Sequence, residues 1–256
     1  MNIHICVKVR MGFPKTIDWR QERVSVPYWR VYWNDAPGAF VKDSSGEVAL
    51  GPKVIVAVPP NTVYSTYTRG GSTHFYVHFT AEFPYSSVQP GIMQFFSPKL
   101  VKQASVIAQE LTGPTPQVKT LMRTQIYLYE LLLLVPDSKL PAPKQVDSRI
   151  ERALAIMEEK PAISLTELAK AVGMGRTSFL SLFHRETDST PQRLSRKNRL
   201  EKACMLLHFS DKTLQEIAEE TGFCDRYHFS RMFMREYSYG PAAFRRQIGL
   251  ITEKST

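Results

Sequence analysis

The chain has 256 residues, 43% of them apolar, with a formal charge of +9, which leaves room for two modest domains, each with its own core. The opening MNIHICVKVR puts charges where a secretion signal needs an apolar stretch, and the apolar run at 131–135 is far short of the ~20 residues that cross a bilayer; the expectation is a cytoplasmic protein with no membrane partner. Cys6, Cys204 and Cys224 match no zinc or redox spacing and read as reduced thiols.

The first hundred residues predict β-structure. VPYWRVYW, KVIVAVPP and STHFYVHFT are rich in β-branched and aromatic residues. Turn signals separate them: APG at 36–38, DSSGE at 43–47, PPN at 59–61 and RGG at 69–71. Many short strands at this spacing predict a sandwich or small barrel over residues 1–98.

Two helices are predicted next, at 99–111 and 117–134, with a GPTP break between them. Val118, Leu121, Met122, Gln125, Leu128, Tyr129 and Leu132 recur at 3- and 4-residue spacing, a single stripe on the second helix. That stripe could pack on the chain's own barrel or against the same helix of a second copy. Residues 136–147, VPDSKLPAPKQVD from 135 on, carry three prolines among small and charged residues and form a stiff connector.

From Ser148 the pattern is helical, and an internal repeat appears. SLTELAKAVGMGRTSFLSLFHRETDSTPQRL starts at Ser164; TLQEIAEETGFCDRYHFSRMFMREYSYGPAAF starts at Thr213. Each copy opens with a capping box, Ser164 with Glu167 and Thr213 with Glu216. Ala169 and Ala218 follow, small enough for close helix crossing, then Gly173 and Gly222, which permit a sharp turn. Phe179, Leu182 and Phe183 pack a second helix, as do Phe229, Met232 and Phe233; Pro191 and Pro241 open the next one. The glycines are 49 residues apart and the phenylalanines 50, so the second turn is one residue longer. Short helix, glycine turn and longer helix make a helix-turn-helix, whose second helix suits the major groove. A long helix, 191–209, joins the two and can be anchored by Leu194, Leu200, Ala203, Leu206 and Leu207. Charge is segregated too. Residues 170–202 hold eight basic residues against three acids and 226–246 five against one, while 211–225 holds one lysine and five acids.

Residues 148–248 resemble the DNA-binding domain of the AraC/XylS family of bacterial activators, most clearly at EIAEETGFCDRYHFSRMFMREY…GPAAFRRQ. The resemblance implies seven helices, with recognition helices near 176–186 and 226–236, and double-stranded DNA as partner. The chain departs from the family at Asp188 and Ser238, where glycine is usual, and at Ser181, where a basic residue is usual, as Arg231 is in the second copy. The non-core positions predicted to face DNA are Arg176, Thr177, Ser178, Leu180 and Ser181 on the first recognition helix, and Arg226, Tyr227, Ser230 and Arg231 on the second. Arg231 is the foremost base reader, since arginine pairs with guanine O6 and N7. Arg185, Arg196, Lys197, Arg235, Arg245 and Arg246 suit phosphate contacts or a solvated surface.

The N-terminal half resembles the family's cupin-like sensor barrel at YWNDAPG, VAVPPNTVY and THFYVHF. Alternation puts His74, Tyr76 and His78 on one face of a strand and Phe75, Val77 and Phe79 on the other. With Arg30, Tyr32 and Tyr64, the polar-aromatic face is the candidate effector site, its residue types suiting a carbohydrate.

The fold expected is therefore two-domain. An N-terminal all-β cupin-like barrel carries a helical hairpin (99–135), and an all-α domain (148–250) carries two helix-turn-helix units joined by a long helix. The expected function is a sequence-specific transcription regulator, an activator by family precedent. It would respond to a small effector, act as a homodimer and have RNA polymerase as a further partner, with no cofactor. The alternatives are a constitutive dimeric DNA-binding protein and a metal-dependent cupin enzyme. The last would need several histidines and a carboxylate converging on one ion, where only His74 and His78 stand close.

Overall fold

The computed structural model describes residues 10–12, 19–69, 73–112, 118–142, 146–160 and 163–249. The opening segment with Cys6, glycines 70–71, the GPTP break and residues 143–145 of the connector lie outside them. The chain divides into two compact units, the second spanning 142–245 and the first made of 1–141 together with 246–256.

The first unit is two antiparallel sheets. One contains β1 (Arg10–Gly12), β3 (Trp29–Asn34), β6 (Ile55–Val58), β8 (His74–Phe79) and β9 (Met93–Phe95), in the order β1-β8-β3-β6-β9. The other contains β2 (Gln21–Val24), β4 (Ala39–Asp43), β5 (Gly46–Ala49) and β7 (Tyr64–Thr68), in the order β2-β7-β4-β5. The DSSGE signal makes the β4–β5 hairpin: Asp43 pairs with Gly46, whose φ of 144° suits glycine. The Asp43 carboxylate accepts the Ser45 N–H at 2.8 Å and the Ile92 N–H at 2.9 Å.

Strand β3 lies opposite β8 with Arg30 facing His78, Tyr32 facing Tyr76 and Asn34 facing His74. Period-2 alternation gives this central pair two different faces. Trp29, Val31, Trp33, Phe75, Val77 and Phe79 join one apolar core with helices α1 (Pro98–Glu110) and α2 (Val118–Leu133). Each large side chain so buried contributes roughly 1.5–3 kcal/mol. Arg30, Tyr32, His74, Tyr76 and His78 look the other way, toward the second sheet, where Arg30 bonds Gln21 and Tyr64. The face of β8 that lines the barrel interior is thus the polar-aromatic one.

The stripe predicted on α2 divides. Leu128 and Leu132 are buried with Tyr127 and Leu131. Val118, Leu121, Met122, Gln125 and Tyr129 are exposed, along with Ile126 and Leu133. One face of the helix is covered by the chain itself and an adjacent apolar face is not.

The second unit holds seven α-helices among the described residues: α3 (Ser148–Glu159), α4 (Leu165–Ala171), α5 (Arg176–Thr187), α6 (Pro191–Phe209), α7 (Leu214–Glu220), α8 (Arg226–Tyr237) and α9 (Pro241–Gly249). Both capping boxes form as the sequence predicts. Among the described residues no helix is long and apolar enough to cross a membrane.

Candidate nucleic-acid interface and barrel cluster

Each repeat copy folds as a seven-residue helix, a turn and a twelve-residue helix. Gly173 and Gly222 take φ of 70° and 75°, the left-handed conformation that a side chain disfavours. The extra residue of the second copy sits after the glycine: Met174 alone precedes the cap Gly175, whereas Phe223 and Cys224 precede the cap Asp225. That difference also changes the cap. Gly175 offers no side-chain bond, while the Asp225 carboxylate accepts the N–H groups of Tyr227 and His228, each at 2.7 Å. Those bonds, the His228 one first, hold its pKa below the ordinary carboxylate range. Asp188 and Ser238, where glycine is usual, close α5 and α8 at φ of 50° and 62°. The turn geometry is therefore kept without glycine, at a steric cost of about 1 kcal/mol each.

On both long helices the aromatic pair points inward: Phe179, Phe183, Phe229 and Phe233 are fully buried. The opposite faces are open. Arg176, Thr177, Ser178 and Ser181 are exposed on α5; Arg226, Tyr227, Arg231 and Arg235 are exposed on α8, and Ser230 is partly so. Ser230 donates its hydroxyl to the Arg226 carbonyl at 2.7 Å, which reduces its availability to a base. The Arg226 guanidinium packs on the Tyr227 ring at 4.7 Å and donates to its hydroxyl at 2.9 Å. Met234, 55% exposed, extends this face and was not singled out from the sequence.

Arg196 is exposed on α6, whereas its neighbour Arg199 is committed inside the protein. Arg199 donates Nε–H to the Thr221 carbonyl at 2.8 Å and Nη2–H to the Gly222 carbonyl, with its guanidinium 4.2 Å from the Phe223 ring centroid. Likewise Arg245 donates to the Lys212 carbonyl at 2.5 Å, and Arg185 pairs with Glu186.

In the first unit all six predicted effector-site residues come together and are buried: Arg30, Tyr32, Tyr64, His74, Tyr76 and His78. Tyr32 and Tyr64 share a hydroxyl bond of 2.8 Å. Burial pushes the Tyr32 hydroxyl well above its ordinary pKa and pushes His74 down to about 3, so both are neutral at physiological pH. His74 Nδ1 meets Asn34 Oδ1 at 2.9 Å, and its ring lies 4.3 Å from that of Trp19. Tyr28 and Gln21 complete the cluster through Arg30. Tyr28 was legible by alternation with Arg30 and Tyr32; Trp19 and Gln21 carry no such signal. Among the described residues no three His, Cys, Asp or Glu side chains converge as a metal site would need.

Two matched helix-turn-helix heads on a 19-residue helix, with a two-sheet β unit on the same chain, define a two-domain helix-turn-helix protein. A helix-turn-helix domain family matches residues 168–247. The HTH-type transcriptional activator RhaS of Klebsiella pneumoniae is 31% identical over 144 residues, which is 55% of this chain and 52% of that protein. RhaS of Escherichia fergusonii is 30% identical over 125 residues, 48% of this chain and 45% of its own. The match thus spans about half the length of these relatives. ToxT from Vibrio cholerae shares the fold over 93% of this chain and 98% of its own, with a TM-score of 0.57 at 10% identity. A ToxT structure with bound unsaturated fatty acid gives 0.59 at 11% identity, over 96% and 97%. Over its helical unit the chain is thus similar to helix-turn-helix transcriptional activators.

Proposed function

We propose that this protein is a sequence-specific transcription regulator, an activator, that inserts α5 and α8 into successive major grooves of double-stranded DNA. The observation that carries this is the pair of equal twelve-residue helices, each aromatic inside and polar or basic outside, fixed by one helix. A helix of 19 residues is about 28 Å long, close to the ~34 Å between successive grooves on one face of a duplex. Arg231 and Arg226 read base edges, with Arg176, Thr177, Ser178 and Ser181 in the first groove. Arg196 and Arg235 hold phosphates. Relatives named as transcriptional activators support the direction of control.

The same reading gives the β unit a sensory role in the cytoplasm. A small molecule between the two sheets changes how the heads are presented, which requires unequal affinity for two states. The fatty-acid-bound ToxT structure supports a small-molecule input for this fold. The exposed apolar face of α2 pairs with its counterpart in a second copy, and RNA polymerase is the downstream partner. A mobility-shift titration at fixed salt, with genomic duplexes flanking the gene against scrambled ones, tests the DNA reading. Specific affinity about 10³-fold or more above non-specific is expected; equal affinities would overturn it.

A further inference from the structure

Arg30 is 2% exposed, and an arginine stays protonated even there. Its bonds go to neutral groups: Nη1–H to Gln21 Oε1 at 3.1 Å and to the Tyr64 hydroxyl, Nη2–H to the Tyr28 hydroxyl at 3.3 Å. The Tyr28 and Tyr64 rings flank the guanidinium at 5.3 and 5.4 Å. Among the described residues no carboxylate bonds or pairs with it. A buried charge without a counter-ion is costly. The cluster does not supply one, since the Tyr32 hydroxyl stays protonated and His74 is neutral.

The unsatisfied donors of Arg30 have a definite geometry. Arginine presents a side-on fork made of Nε–H and Nη2–H, the pair that grips a carboxylate with two parallel bonds. Among the described residues Nε has no hydrogen-bond partner, and Nη2 has only the long bond to Tyr28. His74 Nε2 is a second buried atom without one. A hydroxyl at the fork would satisfy one donor and leave the charge uncompensated. A carboxylate satisfies both and neutralises it. One cation with aromatic walls, from Trp19, Tyr28, Tyr32 and Tyr64, fits a monoanion on a planar or apolar body better than a heavily solvated dianion.

We propose that the effector of the barrel is a small organic carboxylate, held by a bidentate pair with Arg30, rather than a neutral sugar. This rests on the reading of the barrel as an effector site and adds the chemical class of its ligand.

The test is thermal unfolding of the full chain with benzoate, 4-hydroxybenzoate and octanoate, each against its own primary amide, and with a panel of neutral monosaccharides. At least one carboxylate is expected to raise the melting temperature by about 5 °C at saturation, its amide to give no shift, and Arg30→Met to abolish the effect. The carboxylate–amide comparison in the unaltered protein decides the matter even if Arg30→Met folds poorly. Equal shifts by acid and amide overturn the proposal, as does a carboxylate shift that survives Arg30→Met. A shift with monosaccharides alone overturns the carboxylate while leaving the barrel as an effector site. No shift with any compound overturns both.

Discussion

Arg199, on the helix between the two heads, donates its Nε–H to the carbonyl of Thr221 at the C-terminus of α7, at 2.8 Å. The last carbonyls of a helix have no partner within it, and the flat guanidinium takes two in succession while stacking on Phe223. The turn between α7 and α8 is thereby fixed to the connecting helix. Arg199→Ala is expected to destabilise the helical unit by about 2 kcal/mol in chemical denaturation, and Arg199→Lys to recover only part of that, because an ammonium lacks the fork. Full recovery by lysine would show that charge alone matters.

Arg231 is exposed on the open face of α8. Arg231→Ala is expected to weaken binding to the specific duplex by roughly 1–3 kcal/mol and to relax sequence preference at one position. Arg235→Ala is expected to weaken all duplexes alike and to lower the salt slope by about 1. Fluorescence-anisotropy titrations at several salt concentrations separate the two. Identical behaviour of the two variants contradicts the assignment of roles.

The exposed apolar face of α2 includes Leu121, 46% exposed, and Tyr129, 44% exposed. If it joins two copies, Leu121→Glu with Tyr129→Glu converts a dimer to a monomer in light scattering, with far-UV circular dichroism unchanged. Avidity then falls, and affinity for a two-site duplex is expected to drop ~10²-fold or more. An unchanged mass places the dimer contact elsewhere.

The helix caps predict an acid response. Asp147 is held at about 2, first by the Arg149 side chain. Glu167 is held low first by the Ser164 hydroxyl, Glu216 first by the Thr213 backbone and Asp225 first by the His228 backbone. Because folding lowers these pKa values, their stabilisation is complete above the unfolded values near pH 4 and is lost as pH falls through the folded ones. Helicity at 222 nm is expected to hold at pH 5 and to decline between about pH 4 and pH 2. In the double variant Ser164→Ala and Thr213→Ala the decline begins at higher pH. Superimposable curves would show that the caps do not govern it.

The helical heads were legible because their signals are local. Cap, alanine, glycine, aromatic pair and proline each act within one or two helical turns, and α4, α5, α7 and α8 form where those signals place them. Asp188 and Ser238, where glycine is usual, still take the left-handed conformation that ends each long helix. What escaped the sequence depends on contacts distant along the chain. The role of Arg199 requires knowing that Thr221, 22 residues on, packs beside it. The buried face of α2 was hidden because it includes Thr120 and Thr124, whose polarity suggests exposure; in the fold the Thr124 hydroxyl bonds the Thr120 carbonyl at 2.8 Å and both are buried. The β8 histidines were picked out by alternation, and Arg30 was added to them by residue type. That Gln21 and Trp19 close over them depends on the second sheet.

In the proposed function two heads on one helix read one duplex. Selection of randomised double-stranded oligonucleotides by the purified full chain tests it directly. The expected result is an enriched motif of two conserved blocks whose centres lie about 10 base pairs apart, with Arg231→Ala blurring one block only. Enrichment of no motif, or of a single block indifferent to Arg231, would contradict the account.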